Sequence, residues 1–203
     1  MARHTDYWRK LPTWWIETEN CLPDFKWRNG GAGANEIAAL MCLVLLVHTS
    51  ESEDKDVRIT YNEFMEVLSL SRAKVARGLE TLIERGLITS PDRSLYYVAG
   101  MSHKRPWGKL PCRAMYSPTG SYILMFRNFK LRTKQELNSL KLLLLLCART
   151  NTNCGRAVIG TDKIQEWSGI PRNEVKSAAS LLIANGLMQQ ERMQDQGLSL
   201  IHI

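Results

Sequence analysis

Positively charged side chains recur at short spacing in the heptapeptide SRAKVAR. Arg72, Lys74 and Arg77 supply the charge, whereas Ser71 and Ala73 are small. An arginine guanidinium can donate two parallel hydrogen bonds to a guanine edge, and a small side chain allows close approach to a base. These residue types at this spacing indicate contact with the major groove of duplex DNA. The alternative is that the two arginines form ordinary ion pairs with acidic residues later in the same helix.

A second group of cations lies in residues 100–135, which contain eight basic and no acidic side chains. The formal net charge of the whole chain is +7, so this segment carries the surplus. A basic segment without carboxylates attracts polyanions. We expect it to follow a phosphate backbone; the alternative is a solvated loop. The candidate contacts are Lys104, Arg105, Lys109, Arg113, Arg127, Lys130, Arg132 and Lys134.

The elements that must position these side chains belong to an internal repeat. Residues 59–87 recur without a gap as residues 159–187, with eight identical positions at a fixed offset of 100. Two copies predict two related small domains, because a solenoid would need three or more units.

The first copy predicts two helices joined by a tight turn. Residues 61–69 carry apolar side chains at helical spacing, with Thr60 in a capping position. Ser71 is placed to cap a second helix, and Gly86 suits the left-handed position that ends it. We expect the buried stripe of this helix to be Val75, Leu79, Leu82 and Ile83.

Further elements flank this pair of helices. Residues 37–48 predict a mostly apolar helix with Asn35 as its cap. Residues 87–89 and 95–98 predict a β-hairpin with Arg93 near its tip, a candidate phosphate or minor-groove contact. In the second copy, the corresponding helices are residues 135–149, 162–167 and 171–185, and the hairpin strands are residues 187–191 and 198–203.

The block LSLSRAKVARGLETLIERGLI resembles the recognition-helix block of winged helix-turn-helix DNA-binding proteins. The resemblance covers the two copies, somewhat over half of the chain. It implies an α+β fold, mainly α with small β-hairpins, that contains two winged helix-turn-helix domains in tandem. Paired winged helices on one chain are similar to plasmid or phage replication initiators. They are also similar to accessory subunits of chromosome-condensing complexes, which use the fold to bind protein.

The second copy departs from this pattern. Pro171 stands where the first copy has a serine, and Glu174 stands where it has Lys74. The candidate DNA contacts in the second recognition helix are Arg172, Asn173 and Lys176. Asn173 can pair with adenine, but a carboxylate at residue 174 opposes phosphate. Contact with DNA and contact with protein both stay open for this helix.

The predicted domains are an aromatic-rich N-terminal strap (1–35), a first winged helix (36–99), a basic connection (100–135) and a second winged helix (136–203). The strap contains Tyr7, Trp8, Trp14, Trp15, Phe25 and Trp27. Because such rings bury large apolar areas, we expect the strap to pack on the first domain or on a second subunit. The alternative is a stacking platform for single-stranded nucleic acid. In the connection, residues 122–126 predict a short strand. The leucine run 142–146 predicts an inter-domain or dimer spine.

Several classes of protein are disfavoured by the sequence. Five cysteines without a C-x-x-C pair indicate reduced thiols in a cytoplasmic protein rather than a metal site or a disulfide framework. The sequence shows no nucleophilic side chain paired with a general base and no cluster of carboxylates. Neither an enzyme nor a cofactor is therefore expected. No apolar segment reaches the roughly 18 residues that a bilayer requires, so no membrane partner is expected.

Sequence-specific binding of duplex DNA is the expected function. The recognition helix 71–85 and the basic segment 100–135 are expected to carry it. The protein is expected to be a homodimer that regulates transcription in the cytoplasm, associated with the nucleoid. The first alternative is a replication initiator that uses both winged helices on DNA. The alternative of another class is a protein-binding scaffold in a nucleoprotein complex.

Overall fold

A computed structural model describes the backbone of residues 6–29, 31–50, 56–101, 105–150, 156–191 and 200–202. Side chains are described within these ranges as far as residue 189. Helices predominate, and the strands in these ranges form small antiparallel sheets. The predicted α+β class is therefore confirmed.

The helices are α1 (Trp14–Glu17), α2 (Ala32–Thr49), α3 (Tyr61–Leu68), α4 (Arg72–Glu84), α5 (Leu124–Arg127), α6 (Lys134–Arg149), α7 (Thr161–Ser168) and α8 (Arg172–Ala184). The strands are β1 (Trp8–Pro12), β2 (Asp56–Arg58), β3 (Ile88–Asp92), β4 (Leu95–Val98), β5 (Trp107–Pro111), β6 (Arg156–Val158), β7 (Gln189–Glu191) and β8 (Leu200–His202). Two 3-10 turns lie at Leu22–Asp24 and Arg113–Met115.

The repeat in the sequence is matched by a repeated order of elements. We refer to α2 through β4 as the first unit and to α6 through β8 as the second unit. Each unit runs from a long helix through a short strand and two further helices to a hairpin. The short strand joins the hairpin in a three-stranded sheet, ordered β2-β4-β3 in the first unit and β6-β8-β7 in the second. The assignment of the two units to the winged helix-turn-helix fold remains a prediction.

Local signals in the sequence set the helix boundaries close to the predicted ones. The Thr60 hydroxyl accepts from the Glu63 amide while the Glu63 carboxylate accepts from the Thr60 amide, which is a capping box. Ser71 caps α4 by accepting from the amide of Lys74. Gly86 adopts a left-handed conformation, φ 66°, just after α4 ends. The predicted first pair of helices is therefore confirmed to within a residue or two at each end.

The core is built on the two long helices. In α2 every side chain from Ile37 to Val47 is buried, and in α6 the leucine run 142–146 is buried as well. The two helices contact each other, while α4 packs on α2 and α8 packs on α6. The leucine run is apolar on all sides because its helix is covered by several elements at once. The leucine run was predicted to be an inter-domain or dimer spine, and its helix contacts both α2 of the first unit and α8 of the second.

The helix α2 contradicts the expectation that no apolar segment is long enough to cross a bilayer. It has 18 residues and is long and apolar enough to cross a membrane, although no segment was expected to reach that size. Most of its surface is buried against the rest of the protein. Burial in a core explains its composition equally well, and a helix of this kind is weak support for a membrane span.

A close helix crossing fixes α4 on α2. A Cβ atom placed on Gly78 would lie 2.8 Å from the backbone carbon of Ala38, so the two helix backbones nearly touch. The equivalent position in the second unit is Ala178, whose carbonyl oxygen accepts a hydrogen bond from the Ser139 hydroxyl at 3.1 Å. Helices α4 and α8, which we call the outer helices, therefore each cross the N-terminal half of the long helix in their own unit.

Three local predictions are wrong. The helix α2 begins at Ala32 with Gly31 (φ 93°) in the N-cap position, so Asn35 lies inside the helix and does not cap it. Ile83 was placed in the buried stripe, but its side chain is 46% exposed because it lies at the edge of that stripe. Residues 122–126 do not form a strand: after one isolated bridge at Ile123, the chain turns into α5.

The N-terminal strap packs on the protein as expected, but it contacts both units. Strand β1 pairs with β5 and contacts α2, helix α1 contacts α6, and the turn Leu22–Asp24 contacts α7. Trp15 and Phe25 are fully buried. Arg85, after α4, binds Glu36 at 2.8 Å and lies over the Phe25 ring at 3.9 Å. The buried rings thus join the strap to the core that the units share.

Candidate nucleic-acid interface

The outer face of α4 presents the side chains that were predicted to read bases. Arg72, Ala73 and Arg77 are exposed on it. The Arg72 guanidinium lies over the ring of Tyr61, with its carbon 4.9 Å from the ring centre. This contact restricts the arginine while leaving its N–H groups at the helix N-terminus, where the helix dipole is positive.

Arg77 has an acidic partner in the same helix. Its Nη1 lies 2.6 Å from the Glu80 carboxylate, and both side chains are more than half exposed. The alternative of an ordinary surface pair therefore holds for Arg77. Arg72 has no carboxylate within ion-pair distance in the described part of the chain. The cationic character of the face is consequently strongest at the N-terminal tip.

Lys74 turns away from the centre of this face. Its Nζ donates a hydrogen bond to Asn35 Oδ1 at 3.0 Å, and the side chain is half-buried. It lines a smaller groove, between α4 and the start of α2, together with Gly31 and Ala32. Lys74 is therefore placed at the margin of the candidate interface.

A groove runs beside the outer face of α4, between that helix, the start of α3 and the β3-β4 hairpin. Its volume is about 1110 Å³. Three arginines and two glutamates line it: Arg72, Arg77, Arg93, Glu80 and Glu84. Arg93 is exposed at the hairpin turn, across the groove from the helix, as the sequence predicted. The groove is cationic at its helix-tip and hairpin margins and acidic towards the C-terminal half of α4.

The second unit presents a different set of charges. Pro171 is the N-cap residue of α8, and Arg172 after it pairs with Asp162 of α7 at 2.6 Å. Asn173 and Lys176 are exposed on the outer face. The second hairpin turn lies outside the described residues, so no counterpart of Arg93 is described in this unit.

Glu174 does not face outwards as its sequence position suggested. Its two carboxylate oxygens accept from Lys134 Nζ and from Asn138 Nδ2, each at 2.7 Å. The carboxylate is thereby directed to the N-terminal part of α6. Lys134, a predicted phosphate contact, is neutralised by this pair.

The basic connection does not form one continuous track. Arg105, Lys109 and Arg113 lie on or beside β5, whereas Arg127 is in α5, next to the end of α3. The Arg127 guanidinium lies over the Tyr122 ring at 3.9 Å. Lys104 lies outside the described residues. The predicted run of phosphate contacts is divided because Ile123, between its two halves, is tied to α3 by a hydrogen bond to the Val67 carbonyl.

Lys130 and Arg132 remain available near the start of α6. Both side chains are exposed. Their backbone amides, with that of Thr133, donate to the buried carboxylate of Glu136. Glu136 therefore stabilises the turn through the backbone and leaves the two side-chain charges on the surface, in the same region as Lys134.

One cluster of possible functional residues was not predicted. Strands β1 and β5 pair antiparallel, with Lys10 directly opposite Lys109. We call the exposed side of this pair the ribbon face; it is formed by Trp8, Lys10, Trp107 and Lys109. The sequence holds half of the cluster in the strap and half in the connection, so only the strand pairing brings the halves together.

Burial changes the pKa values of several cysteine thiols in the described residues. Burial raises the pKa of Cys112 to about 11 and raises the pKa of Cys42 and Cys147 further. Such thiols are protonated at neutral pH and are poor nucleophiles and ligands. No group of three His, Cys, Asp or Glu side chains that could hold a metal ion occurs in the described part.

Comparison with known proteins adds no relative. No protein-family model, no curated protein and no solved structure matches the chain.

Proposed function

We propose that the protein binds duplex DNA in a sequence-specific manner as a transcriptional regulator, with α4 as the recognition helix of a winged helix-turn-helix unit. One observation carries the proposal: the capped N-terminal tip of α4 presents Arg72 and Arg77 around exposed Ala73. A recognition helix reads base edges mainly with its N-terminal residues. The small alanine allows the helix backbone to approach the bases while the arginines reach guanine.

The distribution of charge on α4 favours a docking orientation. Glu80 and Glu84 line the C-terminal part of the groove, and carboxylates there are repelled by phosphate. The helix would therefore enter the major groove with its N-terminal tip first. In that orientation Arg93, on the hairpin beside the groove, is available for a backbone or minor-groove contact.

A second candidate function is a replication initiator that uses both units on DNA. The observation that favours it is the inward direction of the Glu174 carboxylate, which is occupied by Lys134 and Asn138. The expected repulsion of phosphate at the second recognition helix is thereby reduced. Asn173 and Lys176 remain exposed on the outer face of α8. Two contact helices in one chain suit repeated sites better than a single short site.

The decisive experiment is selection from a random-sequence duplex library, followed by fluorescence anisotropy with the enriched duplex over a salt series. Enrichment of a defined motif is expected, and Arg72→Ala should reduce the preference for it by about 1–3 kcal/mol. Arg156→Ala removes an exposed arginine from β6 of the second unit and serves as the matched control. Binding that never distinguishes sequences would overturn the proposal and favour a scaffold function.

Footprinting separates the two candidates once a motif is known. A regulator that acts as a homodimer protects one palindrome, with half-sites about one helical turn apart. An initiator that uses α4 and α8 protects repeated sites, each with two contacted segments per chain.

A further inference from the structure

The ribbon face combines exposed aromatic rings with positive charge. Trp8 and Trp107 stack at 5.7 Å between ring centres with an interplanar angle of 14°, yet they remain 42% and 37% exposed. Tyr7, just before β1, is 75% exposed. Large rings at this level of exposure cost solvation free energy unless a partner covers them. The other side of the ribbon is accounted for, because Leu11 and Leu110 there are fully buried.

The cations of this surface lie against the same rings. Lys109 Nζ is 5.0 Å from the Trp8 ring centre, and Lys10 Nζ is 5.5 Å from that of Trp107. The Arg113 guanidinium lies 5.4 Å from the Tyr7 ring centre. Two lysines directly opposite each other on paired strands repel and destabilise the pair. Their cation–π contacts offset part of that repulsion.

The ribbon lies apart from the proposed duplex-binding face. His48, near the end of α2, bonds through Nε2 to the Pro111 carbonyl at 2.9 Å. A Cβ atom on Gly108 would meet the carbonyl oxygen of Cys147, so β5 also lies against the C-terminal part of α6. The helix α4, by contrast, crosses α2 at Ala38. The two surfaces therefore contact different parts of α2, at Ala38 and at His48, which lie about 15 Å apart along the helix axis.

We propose that the ribbon face binds single-stranded DNA, with bases stacked on Trp8, Trp107 and Tyr7 and phosphates bound by Lys10, Lys109 and Arg113. Aromatic rings interleaved with cations are the chemistry that non-specific single-strand binders use. The choice of DNA over RNA rests on the proposed function at α4; the existence of the stacking surface does not.

Duplex DNA and a protein partner fit this face less well. In a duplex the faces of the bases are already stacked on each other, so exposed indoles gain nothing from it. Protein interfaces are enriched in aromatic residues but depleted in lysine, whereas here two lysines lie at the centre of the surface. A single strand offers both unstacked bases and phosphates at short spacing.

The test measures anisotropy of a fluorescein-labelled oligothymidylate of about 15 nucleotides, with full-length protein. The variant Trp8→Leu/Trp107→Leu keeps apolar volume and removes most of the ring stacking; it should weaken binding at least about tenfold. The variant Trp8→Phe/Trp107→Phe should retain most of the affinity. Lys163→Ala, on α7, is the matched control and should leave oligothymidylate binding unchanged.

A second variant tests the proposal independently in case the tryptophan variants do not fold. Lys109→Ala/Arg113→Ala removes two surface charges without touching the buried side of the ribbon. It should lower the slope of log affinity against log salt by about 1.4, because each lost phosphate contact on a single strand contributes about 0.7. An unchanged slope, or a leucine variant that binds like the wild type, overturns the proposal. Tighter binding of oligouridylate than of oligothymidylate overturns the choice of DNA.

The outcome is separable from that of the proposed function. If duplex selection yields no motif but oligothymidylate binding depends on Trp8 and Trp107, the duplex proposal fails and the ribbon proposal stands. If Arg72→Ala abolishes duplex preference while the wild type does not bind oligothymidylate, the ribbon proposal fails alone.

Discussion

Arg77 and Glu80 form an ion pair on the outer face of α4, with Nη1 and the carboxylate oxygen 2.6 Å apart. The pair marks the point at which the helix changes from cationic at its tip to acidic towards its end. Because both side chains are more than half exposed, the pair adds little to folding stability. Its effect on a bound polyanion is larger, since the glutamate neutralises one of the exposed arginines.

Reversal of the charge at residue 77 should abolish the preference for a selected duplex. Arg77→Glu leaves two carboxylates on adjacent turns facing phosphate, while the exposed position predicts an unchanged melting temperature. Glu80→Gln should have the opposite effect and raise duplex affinity several-fold. Anisotropy at two salt concentrations, with circular dichroism as a fold control, checks both. Specific binding that survives Arg77→Glu would show that α4 is not in the major groove.

The second outer helix can be tested with a paired variant. Asn173→Ala/Lys176→Ala removes two exposed polar side chains of α8 without disturbing the pair that Glu174 forms with Lys134. If both units bind DNA, affinity for the selected duplex should fall about tenfold or more, which is at least about 1.4 kcal/mol. A regulator that reads DNA only with α4 should be unaffected. Lys163→Ala, on α7, is the matched surface control.

The close crossing of α4 over α2 predicts that a glycine-to-alanine substitution in α4 destabilises the protein, although helix propensity alone favours alanine. Alanine is favoured over glycine in a helix by about 1 kcal/mol, but a Cβ at Gly78 would lie 2.8 Å from the Ala38 backbone. The helices would have to separate, so Gly78→Ala should lower the free energy of unfolding by a net of about 1–2 kcal/mol. Urea unfolding measures the change. A stabilising effect would mean that the two helices lie further apart.

Ala178→Gly provides the comparison for that variant. The second unit accommodates a methyl group at the equivalent position, where Ala178 is fully buried. The reverse substitution should therefore cost about the 1 kcal/mol that propensity predicts. Opposite responses to alanine at equivalent positions would locate the tighter crossing in the first unit.

The buried side chain of Lys141 is expected to make the free energy of unfolding depend on pH. Its side chain is 3% exposed, and Nζ donates to the Phe25 carbonyl at 3.0 Å. Burial lowers the pKa of Lys141 from 10.5 to about 8, against a smaller opposing effect of Glu36. Below pH 8 the lysine is charged in both states, and its desolvation reduces stability in full. Between pH 8 and 10.5 the unfolded chain holds more protons, so this contribution to stability rises with pH.

Lys141→Met should raise the free energy of unfolding at pH 7 by on the order of 1–3 kcal/mol. Methionine occupies the equivalent position, Met41, in the first unit. The gain should shrink towards zero by about pH 10.5, where the lysine is neutral in both states. Burial raises the pKa of thiols such as Cys112, which lowers stability in the same pH range in both proteins. The difference between variant and wild type therefore isolates the lysine; a difference independent of pH would contradict the assignment.

Helix caps and helix ends could be predicted from the sequence where residues close together in the chain determine them. Thr60 and Ser71 cap their helices, and Gly86 adopts the left-handed conformation, because each depends on hydrogen bonds and sterics within a few residues. The helix α2 extends further than predicted because Gly31 takes the N-cap conformation. Asn35 then lies inside the helix, where its side chain accepts a hydrogen bond from Lys74.

The candidate interface could be predicted from the sequence only in part. The exposure of Arg72, Ala73 and Arg77 follows from the period of the helix. The direction of Glu174 does not, since its hydrogen bonds go to Lys134 and Asn138 on another helix. The predicted continuous basic track failed for a similar reason. Total charge is additive along the sequence, but the direction of each charge depends on which elements pack beside it.

The sequence by itself determined the internal repeat, the positions of the paired helices and the charge of the α4 tip, because periodicity and capping are properties of contiguous residues. Tertiary structure alone decided that Trp8 stacks on Trp107 and that Lys10 lies opposite Lys109. That pairing joins segments almost one hundred residues apart. Strand register of this kind is set by burial of the opposite face, here Leu11 and Leu110. A local pattern contains no information about which distant strand will share that burial.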